Sequence, residues 1–184
     1  MGMSAGRWVV GGGAVAVLVA TGAYAMWPAA TVDTRLWDEV RPVIEARISS
    51  DARGSGYGET VPALRARWFC RAEALGLQEH GGDVRADVTT LCVEYGVHDD
   101  SLVECSAGQV PQVVRLERDD AAAGGYRVVS REEAPDGAGN ARWTRERFGV
   151  VGASLAQDSM SSRALEDKAR AHFGLPAGAA VVDC

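Results

Sequence analysis

Four cysteines, three histidines and a group of carboxylates are the residues of this chain whose types suit chemistry. Cys70, Cys92, Cys105 and Cys184 form no C-x-x-C pair, and His80, His98 and His172 are not spaced with them as zinc ligands. Their even number suits disulfides in an oxidising compartment, where bridges this sparse supplement a core and do not replace it. The densest acidic group is Glu94, Asp99, Asp100 and Glu104, with His98 among them. It lacks EF-hand spacing, and a solvated turn accounts for it. His80 belongs to a different turn, at the opposite end of the expected sheet, so the two histidines cannot share a metal. Ser154, in Gly152-Ala153-Ser154-Leu155-Ala156, echoes a nucleophile elbow. A true elbow follows a strand of a parallel sheet and needs a downstream acid and histidine, and here His172 alone lies downstream. Gly11-x-Gly13-x-x-Ala16, with Asp33 further on, matches a dinucleotide fingerprint, but residues 14–27 show none of the polar face a crossover helix needs. No catalytic set assembles, and no metal or cofactor is called for.

The elements that must position these residues are mostly strands. From Pro62 to Ser130 the apolar pattern suggests strands over 65–77, 84–97, 102–118 and 126–130, rich in β-branched and aromatic residues. Turn clusters at 79–83, 98–100 and 119–125 separate them. Strands joined this closely pair antiparallel, because a parallel pair would need a helix between. A first turn centred on Gly81 sets Cys70 opposite Cys92, within disulfide reach. Cys105 is nearly level with Cys92 on the third strand and is a rival partner. The favoured pairing is Cys70–Cys92, leaving Cys105 with Cys184 or both free; the alternative is that Cys70, Cys92 and Cys105 are small core residues.

Asp33-Thr34 offers an N-cap to a helix through Ile48, whose stripe is Leu36, Val40, Val43, Ile44 and Ile48. Pro42 is expected to bend or split it. Residues 49–61 read as a flexible loop and 131–142 as a polar one. Trp143–Val151 reads as a last short strand or an extended arm. Ser161 or Ser162 can cap a final helix carrying Ala164, Leu165, Ala169 and Phe173, which Gly174 closes. Trp37, Tyr57, Trp68, Phe69, Tyr95, Tyr126, Trp143 and Phe148 either line a cup between helix and sheet or fill the core.

Ahead of all this lies Trp8–Trp27, an uncharged apolar stretch with Trp8 at one end and Tyr24 and Trp27 at the other. As a helix it spans about 28 Å, close to the ~30 Å hydrocarbon core, with its rings at the two interfaces. It reads as a single-pass anchor with the following domain outside the cell membrane. A cleavable signal peptide remains open, with Arg7 as the n-region, Val9–Ala20 as the h-region and cleavage after Ala25, which would secrete the domain. The net charge is −6 and there is no basic cluster, which argues against nucleic acid as a partner. Eighteen of the 19 basic residues are arginine, a composition typical of a high-GC bacterium.

The succession Trp68-Phe69-Cys70, Leu91-Cys92-Val93-Glu94, Val110-Pro111-Gln112-Val113-Val114, Gly125-Tyr126-Arg127-Val128-Val129 and Pro135-Asp136-Gly137 resembles a small exported or membrane-anchored domain of uncharacterised proteins, mainly of Gram-positive bacteria. Phe148-Gly149 stands where that domain has an aromatic–proline pair, a departure from its pattern. The resemblance covers residues 65–150. It implies a cystatin-like or NTF2-like architecture and supplies no catalytic residues.

The expected fold is α+β: an N-terminal membrane helix, one helix packed on a four- to five-stranded antiparallel sheet, and a C-terminal helix. The expected division is an anchor or signal peptide over 1–30, helix and loop over 31–61, sheet core over 62–151, and helix and tail over 152–184. The expected function is binding or sensing outside the cytoplasm, without catalysis, of a protein partner or a small apolar ligand. The sheet's exposed face or an edge strand would be the contact surface. The alternatives are a small cell-envelope enzyme using Glu73, Glu94 or Glu104 in an aromatic pocket, or a structural subunit of an envelope complex.

Overall fold

The computed structural model describes residues 32–184, so the expected membrane helix over 8–27 lies outside the described residues. Among the described residues no helix is long and apolar enough to cross a membrane. The fold is α+β, with three α-helices on a mixed five-stranded sheet.

Helix α1 spans Thr34–Asp51. Asp33 caps it, its Oδ1 accepting from the backbone N–H groups of Arg35 and Leu36 at 3.0 and 3.1 Å. Leu36, Val40, Ile44 and Ile48 are buried at three- and four-residue steps, the stripe a packed helix needs. Of the two outcomes expected at Pro42, a bend or a split, the split does not occur: α1 is one continuous element. Pro42 and Asp38, whose carbonyl loses its helical donor, are both exposed, so water can take the place of the missing bond.

Strands β1 (Arg67–His80), β2 (Asp83–His98), β3 (Ser101–Arg118) and β4 (Tyr126–Glu133) form an antiparallel meander in that order. Gly81 and Gly82 make the first turn, both with positive φ, a conformation glycine adopts without strain. Strand β5 (Val181–Asp183) pairs parallel with Leu102–Glu104 of β3, on the same side of β3 as β4. Each long pairing carries one register shift: at Leu75 in β1, at Cys105 in β3 and at Val129 in β4. Such bulges turn later side chains to the other face while the strand runs on.

The two faces of the sheet hold separate cores. One is covered by α1, with Ile44, Ile48, Cys70, Ala72, Val84, Ala86, Val88, Val114, Leu116 and Tyr126 packed together. The other carries Leu91, Val93, Tyr95 and Leu102 under Leu165 and Ala169 of α3 (Arg163–Phe173). Helix α2 (Asn140–Leu155) lies where a strand or arm was expected over 143–151. Period-two spacing of Phe148 and Val150 is too short a signal to separate strand from helix. Gly149, at φ 69° and ψ −174°, breaks the helix internally. The Arg147 carbonyl accepts from Arg85, and Glu132 takes the Trp143 indole N–H (3.1 Å) and the Arg147 guanidinium (2.5 Å). Helices therefore meet the sheet on both faces.

Side chains order the segment 49–61, expected to be a flexible loop: Glu59 Oε2 accepts from the backbone N–H groups of Gly54 and Gly56, Tyr57 N–H donates to Ser106 Oγ, and a buried carboxylate holds the turn that follows. Glu94 of β2, fully buried, accepts from the backbone N–H groups of Gly58 (2.9 Å) and Glu59 (2.7 Å), which open a short 3₁₀ turn, Gly58–Thr60. A carboxylate at a helical N-terminus takes up orphan N–H groups and meets the positive end of their dipoles. Gly56 leaves room for it: a β-carbon there would overlap the Glu94 carboxylate.

Candidate functional site

Beyond the C-terminal end of α1, the α1 face of the sheet stays open as a cup of about 260 Å³. Its floor is sheet: Thr90 and Cys92 of β2, Gly108, Val110 and Gln112 of β3. Trp68 of β1, Ile48 and Ala52 wall it, and Asp51, Arg131 and Glu133 form a charged lip. Strand alternation explains the membership. Trp68 pairs with Glu94, Cys70 with Cys92, Thr90 with Val110 and Cys92 with Gly108, so their side chains all project to one face. Gly108 puts no side chain into the space, and a β-carbon there would meet nothing within 4 Å. The Cys70–Cys92 disulfide crosses directly between β1 and β2 at the base, with Cα atoms 4.1 Å apart.

A chain of hydrogen bonds runs from the buried floor to the lip. Thr90 Oγ1 donates to the Val110 carbonyl at 2.9 Å and accepts from Gln112 Nε2 at 2.7 Å. Gln112 Oε1 in turn accepts from Arg131 Nη1 at 3.2 Å. Arg131 also pairs with Asp51 and with Glu133, each at 3.2 Å, and Asp51 pairs with Arg47 at 3.0 Å. Two arginines and two carboxylates balance, so the lip has no excess charge to attract an ion. Thr90 and Gln112 are buried and satisfied, as buried polar groups must be. The arrangement suits an apolar body against Trp68, the disulfide and Val110, with a hydrogen-bonding head near the Arg131 lip.

The eight aromatic residues do not converge on the cup. Trp68 lines it, while Trp37 and Tyr126 belong to the α1 core. Phe69 and Tyr95 lie on the opposite face beside His172 and Phe173. Trp143 and Phe148 stack edge to face on α2, and Tyr57 stands out into solvent, 61% exposed. Strand alternation makes this division: Trp68 and Glu94 turn to the α1 face, while Phe69 and Tyr95 beside them turn to the α3 face.

The carboxylates considered for catalysis are likewise dispersed. Glu73 pairs with Arg71 at the surface, 2.5 Å apart. Glu94 is consumed by backbone N–H groups on the α1 face. Glu104 sits on the other face near Tyr95, whose hydroxyl is buried without a hydrogen-bond partner among the described residues. Burial, reinforced by the Glu104 and Glu166 carboxylates, pushes that phenol well above its ordinary value. Asp87, also on the α3 face, titrates above the usual carboxylate value because burial outweighs the Arg85 guanidinium 2.9 Å away. The Trp143 indole N–H and Arg147 hold Glu132 below it. His80 ends β1 and His98 ends β2, at opposite ends of that hairpin, and no group of His, Cys, Asp and Glu among the described residues is arranged to hold a metal ion. Ser154 lies within α2, away from any strand end.

The second disulfide joins Cys105, the bulged residue of β3, to Cys184, with Cα atoms 4.7 Å apart. It fixes β5 to the β3 edge, together with the bond from Cys184 N–H to the Glu104 carbonyl at 2.9 Å. Sequence reasoning had no signal for the cup's floor of Gly108, Thr90 and Gln112. An alternating strand with polar residues at inward positions was the one available hint. Comparison of the chain with family models, with curated proteins and with solved structures finds no match.

Proposed function

We propose that this chain is an extracytoplasmic binding domain, tethered to the cell membrane by residues 8–27 or released if cut after Ala25, and that it takes its ligand in the cup. The observation that carries the reading is the cup itself. It is an open, largely apolar recess whose few polar groups converge at one end, the usual character of a ligand site. Its volume suits a group of side-chain size. Two disulfides among the described residues support an oxidising compartment. The dispersal of Glu73, Glu94 and Glu104 favours binding over the enzyme alternative. A long helix across an antiparallel meander supports grouping the chain with the exported, cystatin-like or NTF2-like domain that its motifs resemble.

The full chain in detergent micelles, titrated with N-acetyl-leucine amide, tests the reading. Binding should shift the Trp68 indole N–H resonance saturably. The variant Gly108→Leu, which fills the cup from a position where a side chain meets nothing, should abolish the shift with little change in stability. An unaltered response in Gly108→Leu would show that the cup is not the site.

A further inference from the structure

We propose that the outer edge of β3, between β4 and β5, is a docking slot for an extended peptide strand carrying one apolar and one basic side chain on opposite faces. The proposal rests on the cup reading above, because the apolar side chain would occupy that cup.

Strand β2 flanks β3 along one side. On the other side β4 pairs with Gln112–Arg118 and β5 with Leu102–Glu104, leaving the middle of β3 without a neighbouring strand. The two ends of this gap fix which groups face it. The Pro111 carbonyl accepts from Ala134 N–H at 2.9 Å, on the β4 side. Counting back in twos from Pro111 turns the N–H and C=O groups of Gln109 and Ala107 the same way. The bulge at Cys105 then restores the alternation that presents Glu104 to Cys184. None of the four outward groups of Ala107 and Gln109 has a hydrogen-bond partner among the described residues. Ala107 and Gly108 are exposed in mid-strand, unlike the buried Val113 and Val114 further along. The free window, Ser106–Val110, spans about 17 Å, room for a strand of about four or five residues.

The surroundings define the occupant. A strand in the gap would turn alternate side chains to the α1 face, where the cup reaches Ala107, Gly108 and Val110. On the other face, Glu104 and Asp183 lie in register as neighbours on β3 and β5, and neither forms an ion pair among the described residues. A recess of about 340 Å³ runs along the edge beside them, lined also by Ala107 and Cys184 and, on the α1 side, by Tyr57 and Ser106. Two adjacent carboxylates without a cation select a Lys or Arg side chain, and the cup selects an apolar one. Opposite faces require an odd separation between them along the peptide. Backbone bonds supply general affinity and the two side chains supply choice, which is how strand addition works at other sheet edges.

The test uses the full chain in detergent and an array of capped hexapeptides built from Arg, Glu, Leu and Thr. The binders expected contain Arg and Leu an odd number of residues apart, with Glu excluded. N-methylation of alternate backbone amides in the best binder should weaken it about tenfold at one set of positions and leave the other set unaffected. Ala107→Pro removes one outward N–H without touching the β2 ladder, the kind of position Pro111 already occupies, so the fold should survive and peptide binding should fall about tenfold. Glu104→Gln with Asp183→Asn should erase the preference for Arg. Peptide binding insensitive to both N-methylation and Ala107→Pro would overturn the slot. So would a dimer dissolved by Ala107→Pro, which would assign the edge to a second copy. If N-acetyl-leucine amide still binds the cup while no hexapeptide binds, the slot fails and the cup reading stands; loss of both would remove the cup reading as well.

Discussion

Glu94 shows how a residue's role can be hidden by its type. In the sequence it stands with acids around a turn and invites a general-base or calcium reading. In the fold it is wholly buried, and both its oxygens serve the backbone of Gly58 and Glu59. Nothing in the residue types near Glu94 points to a turn some 35 positions earlier, so this contact was not legible. Glu94→Ala should cost about 1–3 kcal/mol in urea denaturation, because two N–H groups lose their acceptor. Gly56→Ala should destabilise through the same contact, since its β-carbon displaces the carboxylate. Asp87 makes a prediction of opposite character. Burial raises its folded pKa above the unfolded value near 3.8, so the folded state holds the extra proton between the two values. Its contribution is fully present below the unfolded value and is lost as pH rises through the folded one. Asp87→Asn should therefore flatten the fall in stability with pH above the ordinary carboxylate range, measured as the urea midpoint across acidic pH. An unchanged slope would mean that Arg85 cancels the burial.

At the scale of elements, the meander and α1 were legible because their apolar periods are long and turn residues punctuate them. The hairpin arithmetic placed Cys70 opposite Cys92 because the bulge at Leu75 lies beyond that pair, nearer the turn, and shifts the register by a single residue. What was not legible follows from short or mixed signals. Helix α2 has weak periodicity and an internal break at Gly149, so its apolar spacing imitates a strand. The parallel pairing of β5 spans three residues and depends on a bulge that nothing in the local sequence marks, although the sequence did offer Cys184 as a partner for Cys105. The same elements predict an order of stabilities. The Cys105–Cys184 bridge closes a separation of 79 residues and Cys70–Cys92 one of 22. Replacing the former pair by alanines should cost about 1 kcal/mol more than replacing the latter, by the loop-entropy difference. Calorimetry or urea titration of the two double variants checks it, and the reverse order would mean that the buried hairpin bridge contributes mainly through packing.

For the whole molecule, a disulfide-braced α+β domain carries a recess that opens onto an unpaired sheet edge, and the proposed anchor over residues 8–27 would hold both outside the cytoplasm. The charge balance at the lip and the dispersal of Glu73, Glu94 and Glu104 support the proposed binding role. Expressed in a bacterial host, the full chain should sediment with membranes and resist alkaline extraction, and external protease should reach its domain in spheroplasts. A mature N-terminus at Met26 would instead make it a secreted form of the same binding domain.

The central claim, that β3 offers an open edge beside the cup, meets its most direct test in amide hydrogen exchange of the full chain, alone and with the best-binding hexapeptide. Ala107 and Gln109 should exchange rapidly in the free protein while Ser106, Gly108 and Val110, bonded to β2, are protected, and the peptide should slow Ala107 and Gln109 selectively. Protection of those two amides in the free protein, or no change on adding the peptide, would contradict it.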